Sequence, residues 1–128
     1  MNENCKDTHC PIHHGLRAHG RQFTGTVIES KAQKTATIEW QRRYYLPKYE
    51  RYERRRTRVK AHNPECVDAQ KGDIVTIKEC RPLSKTKHFV ITEKTGKDIT
   101  FLEREHLLQE SHIKKTAEKN TEEKNETN

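Results

Sequence analysis

Thr35-Ala-Thr-Ile-Glu-Trp40 alternates residue by residue, with Ala36, Ile38 and Trp40 on one face and Thr35, Thr37 and Glu39 on the other. That period of two belongs to a half-buried β-strand and fits no helix. Arg54 to Ala61 alternates again, with Arg56, Arg58 and Lys60 opposite Thr57, Val59 and Ala61. Three further short runs have strand character: Gly20 to Ser30 with Phe23, Gly25 and Val27 on one face, Asp73 to Arg81 with Ile74, Val75 and Ile77, and His88 to Thr92 with Phe89, Val90 and Ile91. Gly25 inside the first of these predicts a bulge or a sharp coil. Lys31 to Lys34 reads as a hairpin connection, Pro47 ends the second strand beyond Leu46, and His62 to Gly72 is a turn-rich connector with room for one helical turn at most. Five short strands broken by Gly and Pro predict an all-β fold, a small five-stranded Greek-key barrel.

Only 30% of the 128 residues are hydrophobic and 35% are charged, which allows a modest core and excludes a large enzyme with a deep pocket. No apolar run approaches the ~20 residues that span a bilayer. The first residues, Met1 to Asp7, have no apolar region of the signal-peptide kind. The expected compartment is therefore the cytosol. There the four cysteines (Cys5, Cys10, Cys66, Cys80) serve as reduced thiols or metal ligands rather than as disulfides.

Between the two alternating strands lies a concentration of charge. Gln41 to Lys60 holds seven Arg and two Lys against Glu50 and Glu53, a balance of 9 − 2 = +7, which equals the net charge of the whole chain. All four tyrosines, Tyr44, Tyr45, Tyr49 and Tyr52, fall in the same stretch. Guanidinium groups fork phosphate and stack on planar groups, and tyrosine offers a π-face and a hydroxyl, so the mixture fits a nucleic acid. The plain alternative is a solvated basic face, for which tyrosines are poor choices. Adjacent strand residues face opposite ways, so one of Tyr44 and Tyr45 is expected in the core, whereas Tyr49 and Tyr52 are expected on the nucleic acid. Phosphate contacts are expected from Arg42, Arg43, Lys48, Arg51, Arg54, Arg55, Arg56, Arg58 and Lys60.

The N-terminal arm is dense in Cys and His. Cys5-x4-Cys10-x2-His13 has the close spacing of a tetrahedral structural Zn²⁺ site, with Cys66, His9 or His14 as the fourth ligand. Free thiols with polar histidines facing the nucleic acid are the alternative. A zinc hydrolase or deaminase would require an acid/base Glu beside the ligands, and neither a His-x-Glu nor a Cys-x-x-Cys pair occurs. Cys80 is expected in the core. Past Gly96, Asp98 or Thr100 can cap a short amphipathic helix to about Ser111 bearing Phe101, Leu102, Leu107 and Leu108. Ile113 to Asn128 has almost nothing to bury and is expected to be disordered in isolation.

Several segments resemble the S-seventeen family of small-subunit ribosomal proteins in its archaeal form: Pro47 to Arg56 (Pro-Lys-Tyr-Glu-Arg-Tyr-Glu-Arg-Arg-Arg), Ala61-His-Asn-Pro64, Gly72-Asp73, Glu79-Cys-Arg-Pro-Leu-Ser-Lys-Thr-Lys87 with Phe89, and Cys10-Pro-x-His13. The resemblance covers about residues 5 to 94. It implies an oligonucleotide-binding (OB) barrel that binds the 5′ domain of 16S rRNA during subunit assembly, a structural role without catalysis or a small-molecule substrate. It also implies neighbouring ribosomal proteins as partners and a monomer within the cytoplasmic ribosome. With it, the loop Arg81 to Lys87 becomes an expected RNA contact through Arg81, Ser84, Lys85 and Lys87, joined by Lys31, Lys34 and His62. The expected organisation is an irregular Cys/His-rich arm (1–19), an OB-fold barrel with an extended basic arm (20–94), and a helical or disordered C-terminal extension (95–128).

Overall fold

The computed structural model describes residues 5–111. Five strands, β1 (Ala18–Glu29), β2 (Thr35–Leu46), β3 (Arg51–His62), β4 (Asp73–Cys80) and β5 (Lys87–Lys97), close into a barrel in the order β1-β2-β3-β5-β4. The β3–β5 pair is parallel and the other four are antiparallel, which is the connectivity of an OB barrel. Alternation decides the inside. Val27, Ala36, Ile38, Ala61, Val75, Ile77 and Ile91 are buried with Ala69 of the β3–β4 connector. Phe23 and Trp40 stack across them with ring centroids 4.7 Å apart. A smaller cluster of Leu16, Cys80 and Val90 joins the N-terminal arm to the β4–β5 end of the barrel, with Cys80 buried as expected.

The β3–β4 connector makes one turn, in which the Pro64 carbonyl accepts from Val67 and Asp68. The Asn63 side chain clamps that turn by bonding both the N–H and the C=O of Ala69, each at 3.0 Å. At the entry to β4, the buried Asp73 carboxylate accepts from the Gln70 N–H at 2.7 Å and pairs with Lys94 on β5 at 2.7 Å. Asp73 also opposes Lys97 in register, so β5 runs past the expected Thr92 to Lys97. Its outer half, Glu93 to Lys97, is held by the ladder rather than by apolar burial. A polar, unpatterned sequence gives no warning of such a strand.

Gly25 departs from expectation. The irregularities of β1 lie between Ala18 and Gln22 and between Val27 and Glu29, while Gly25 pairs regularly with Val75. Its role is clearance, because a Cβ there would meet the Glu39 carbonyl oxygen at 2.7 Å and Ile38 Cγ2 at 2.8 Å. Residues 99–111 are helical and belong to a second compact unit that begins at Asp98. Asp98 caps this helix, its Oδ1 accepting from the Phe101 N–H at 3.1 Å and from the Thr100 hydroxyl at 2.7 Å. The expectation for Ile113 to Asn128 lies outside the described residues.

Gly25→Ala is expected to destabilise the barrel by about 1–3 kcal/mol, because the clash is with backbone that cannot swing away. Chemical denaturation followed by Trp40 fluorescence measures it, and an unchanged midpoint would contradict the clearance reading.

Candidate nucleic-acid interface and metal cluster

β2 and β3 pair without interruption from Thr35↔His62 to Leu46↔Arg51. β1 supports β2 only as far as Glu39, and β5 supports β3 only from Lys60. Beyond Trp40 the two strands therefore form a free two-stranded ribbon. The 3₁₀ turn Pro47–Tyr49 closes it, with Glu50 in the left-handed region at φ 49°. Cross-strand register sorts its side chains into two faces. Arg42, Tyr44, Leu46, Arg51, Glu53 and Arg55 continue the face that is core inside the barrel. Gln41, Arg43, Tyr45, Tyr52, Arg54 and Arg56 continue the outward face, which runs on into Arg58 and Lys60.

Each face is partly pre-built. On the first, the Arg55 guanidinium lies 4.1 Å and that of Arg42 5.7 Å from the Tyr44 ring centroid, and Arg55 also bonds Glu53 at 3.0 Å. On the second, Tyr45 and Tyr52 meet with ring centroids 5.2 Å apart. Tyr45 stays 45% and Tyr52 69% exposed, so this pair offers open π-surface. Lys48 sits 5.5 Å over Tyr49 at the tip. Glu39 takes Arg58 at 2.7 Å and Arg56 at 3.6 Å. Arg43, Arg51, Arg54 and Lys60 have no ion pair among the described residues. The expectation that Tyr44 or Tyr45 is core is corrected: both are exposed, because the strand has left the barrel before it reaches them.

The loop Arg81 to Lys87 is drawn tight by the Leu83 N–H on the Lys87 carbonyl at 2.9 Å. Ser84 Oγ accepts from the Lys87 N–H at 3.1 Å, which leaves its hydroxyl proton to donate outward. Arg81, Ser84 and Lys85 are exposed, whereas Lys87 reaches back to Thr35 Oγ1 at 3.3 Å. Lys31 is exposed on the β1–β2 loop.

Two residues expected on RNA are engaged within the protein: His62 is buried, and the half-exposed Lys34 is held in ion pairs. Lys34 pairs with Glu65 at 2.9 Å and approaches the buried Asp7 at 3.8 Å. His62 is 3% exposed, with Nε2 2.6 Å from Asp7 Oδ2. Burial pushes the His62 imidazolium below its usual range despite that carboxylate, so at neutral pH His62 donates Nε2–H as a neutral ring. Burial also acts against the Asp7 carboxylate, but hydrogen bonds from His62 and the His9 N–H, together with nearby Lys34, hold it below its usual range.

The N-terminal arm folds over this end of the barrel. The side-chain donor atoms of Cys5, Cys10, His13 and Cys66 all lie within 4.8 Å of one another. Cys10 Sγ is 3.4 Å from Cys66 Sγ and 3.5 Å from His13 Nδ1. Burial alone would raise the Cys10 thiol, but the His13 and Ile12 N–H groups, Cys66 and the His13 ring bring it down to about 7. Cys66, half-buried and facing Cys10, is pushed up to about 12 by burial and by its sulfur neighbours. Three sulfurs and one imidazole at this spread can hold a tetrahedral ion, whose S···S edges are about 3.8 Å when Zn–S is about 2.3 Å. The other two candidate ligands are engaged elsewhere. His14 Nε2–H donates to the Cys5 carbonyl at 2.8 Å, and the His9 ring meets His62 edge-on with centroids 5.6 Å apart. Cys66, distant in sequence, becomes the fourth donor once the connector turns it toward the arm. Asp7 is not among the residues expected from the sequence, although an acid between two candidate ligands was a signal available there.

The family model of ribosomal protein S17 matches residues 25–93. Three archaeal relatives, each named small ribosomal subunit protein uS17, are similar over most of their length. The one from Methanocaldococcus jannaschii is 50% identical over 93 residues, covering 73% of this chain and 80% of the relative. That of Nanoarchaeum equitans is 54% identical over 98 residues (76% and 87%), and that of Methanopyrus kandleri 53% over 89 residues (70% and 75%). No helix among the described residues is long and apolar enough to cross a membrane.

Lys34→Met is expected to loosen the arm while Lys31→Met does not, because Lys34 faces Asp7 and Glu65 and Lys31 faces solvent. Hydrogen exchange of the Cys10 amide, which bonds the Asp7 carbonyl at 3.0 Å, reports it. Faster exchange in Lys34→Met alone is the expected result; equal exchange in both variants would contradict the ion-pair assignment.

Proposed function

The chain belongs to the ribosomal protein S17 family in its archaeal form, and from that premise we propose that it binds the 5′ domain of 16S rRNA directly and acts in assembly of the small subunit. Its place as a structural protein of the small subunit, in the cytoplasmic ribosome, comes with the family. The two-faced basic ribbon carries the reading. Arg43, Arg54, Arg56, Arg58 and Lys60 line one face with the Tyr45–Tyr52 pair, and Arg42, Arg51 and Arg55 line the other around Tyr44. A ribbon charged on both faces can sit between two phosphate backbones, which suits folded RNA better than a single extended strand. Phosphate neutralisation supplies the affinity, and recognition is of RNA shape and backbone, with Tyr45, Tyr49 or Tyr52 stacking on any splayed base. Arg81, Ser84, Lys85, Lys87 and Lys31 form a second contact on the barrel. Neighbouring small-subunit proteins are the remaining partners, and the protein is a monomer within the ribosome.

The Cys5, Cys10, His13 and Cys66 cluster is the site for a structural Zn²⁺. An arm with few apolar residues is poor in packing energy, and a metal offsets its ordering entropy. When bound, zinc supplies a cross-link between the arm and the β3–β4 connector. Cys5, Cys10 and Cys66 would ligate it as thiolates and His13 as a neutral imidazole.

Filter binding at several salt concentrations tests the RNA reading. A folded 5′-domain fragment is expected to bind more tightly than an unstructured oligonucleotide at matched salt. Arg43→Gln, Arg54→Gln and Arg56→Gln together are expected to lower the slope of log affinity against log salt by about 2–3. Equal binding of both RNAs would favour a general single-strand binder instead. For the metal, native mass spectrometry is expected to show one zinc per chain, lost in Cys66→Ser and kept in His14→Ala; the reverse pattern would overturn the ligand set.

A further inference from the structure

Asp7 is the one buried acid of the N-terminal arm among the described residues, and its side chain reaches segments around the candidate metal cluster that are distant in sequence. Its side chain is 3% exposed. Oδ2 accepts from His62 at the end of β3 at 2.6 Å, and Oδ1 takes the His9 N–H at 3.3 Å. Oδ1 also lies 3.8 Å from Lys34 Nζ on the β1–β2 loop. Lys34 in turn holds Glu65, the residue before Cys66, at 2.9 Å. The Asp7 backbone carbonyl accepts the Cys10 N–H at 3.0 Å. Four segments thus meet at one carboxylate: the Cys5–Cys10 loop, β3, the β1–β2 loop and, through Lys34, the connector that carries Cys66.

We propose that Asp7 is the positioning residue of the metal cluster, locking the loop between Cys5 and Cys10 onto the barrel so that its thiols and His13 converge on Cys66. This rests on the reading of the cluster as a metal site. The chemistry asks for such a lock. Three of the four ligands, Cys5, Cys10 and His13, sit on an arm with little packing of its own, and the fourth lies on a separate connector. The geometry of the set therefore depends on what fixes one segment against the other. A buried carboxylate with three partners does this, and removing it leaves the His62 N–H buried and unpaired. Lys34 has a second use here. Three thiolates on a divalent ion leave one net negative charge, and its ammonium lies on that side of the barrel to offset it.

The experiment is titration of the full chain with cobalt(II) alone, in competition with a chromophoric chelator. The thiolate-to-cobalt absorption band reports ligation and the visible bands report tetrahedral geometry. Wild type is expected to take up one cobalt with tetrahedral bands. Asp7→Ala is expected to bind it about 10–100-fold more weakly with the same four ligands, and Asp7→Asn, which still accepts a hydrogen bond, to recover part of the loss. His62→Leu is expected to weaken binding as Asp7→Ala does, and the double variant to be no worse than either alone. Trp40 fluorescence monitors the barrel throughout; if Asp7→Ala loses that signal, Asp7→Asn and His62→Leu carry the comparison. Unchanged cobalt affinity in folded Asp7 and His62 variants overturns the positioning role and leaves the metal site standing. No cobalt band in wild type overturns the metal site, and the positioning role with it.

Discussion

The unbroken ladder between β2 and β3 governs the rest of the molecule. Its inner half, Thr35 to Trp40 against Thr57 to His62, is a wall of the barrel, where Ala36, Ile38, Val59 and Ala61 face inward. Its outer half carries the cations past the barrel's edge. A two-stranded ribbon alone is marginal in water, and one packed with guanidinium groups on both faces repels itself. Here the register is set where the side chains are buried, and a slip by one residue would turn Ile38 and Ala61 out to solvent. The core thereby fixes which arginines share a face far from it. Cross-strand contact of the Arg55 guanidinium with the Tyr44 ring, and of Tyr45 with Tyr52 in a tilted pair, adds stiffness where the barrel gives none.

The opposite end of β3 solves a different problem. Residues 5 to 16 hold few apolar groups, and only Cys10 and Leu16 are buried among them as hydrophobes. The arm is held instead by a buried polar centre, Asp7 with His62, beside a set of soft ligands. Polar centres of this kind cost much when half satisfied. This one has no unpartnered buried side-chain nitrogen or oxygen among the described residues. His62 thus ends a strand that begins in exposed arginines, and connects the arm to the same element that bears the ribbon.

Local pattern was legible in the sequence. Alternation at Thr35 to Trp40 and Arg54 to Ala61 marked the two main strands, and Pro47 marked the turn between them. The concentration of Arg and Tyr marked the exposed arm. Long-range pairing needed the fold. Cys66 as partner to Cys10 depends on a connector folding back across 56 positions. His62 and Lys34 looked like further cations in a basic protein, and the acids that engage them, Asp7 for both and Glu65 for Lys34, lie far away in the sequence. The outer half of β5 has no apolar period, since its partner strand holds it. Gly25 carried a true signal with the wrong cause, a close approach to β2 rather than a bulge.

The projecting ribbon, on the reading proposed above, is what grips folded RNA. Arg42 and Arg55 are paired in register, so residues 43–54 can be replaced by Asn-Gly, a two-residue turn that closes the hairpin without disturbing the barrel. The measurement is the affinity of this shortened chain for the folded 5′-domain fragment, beside its thermal melt. Affinity is expected to fall by at least about a hundredfold, since four cations and all four tyrosines leave with the tip, while the melt of the barrel is kept. Undiminished affinity in a folded, shortened chain would contradict it and move the RNA contact to the barrel and its loops.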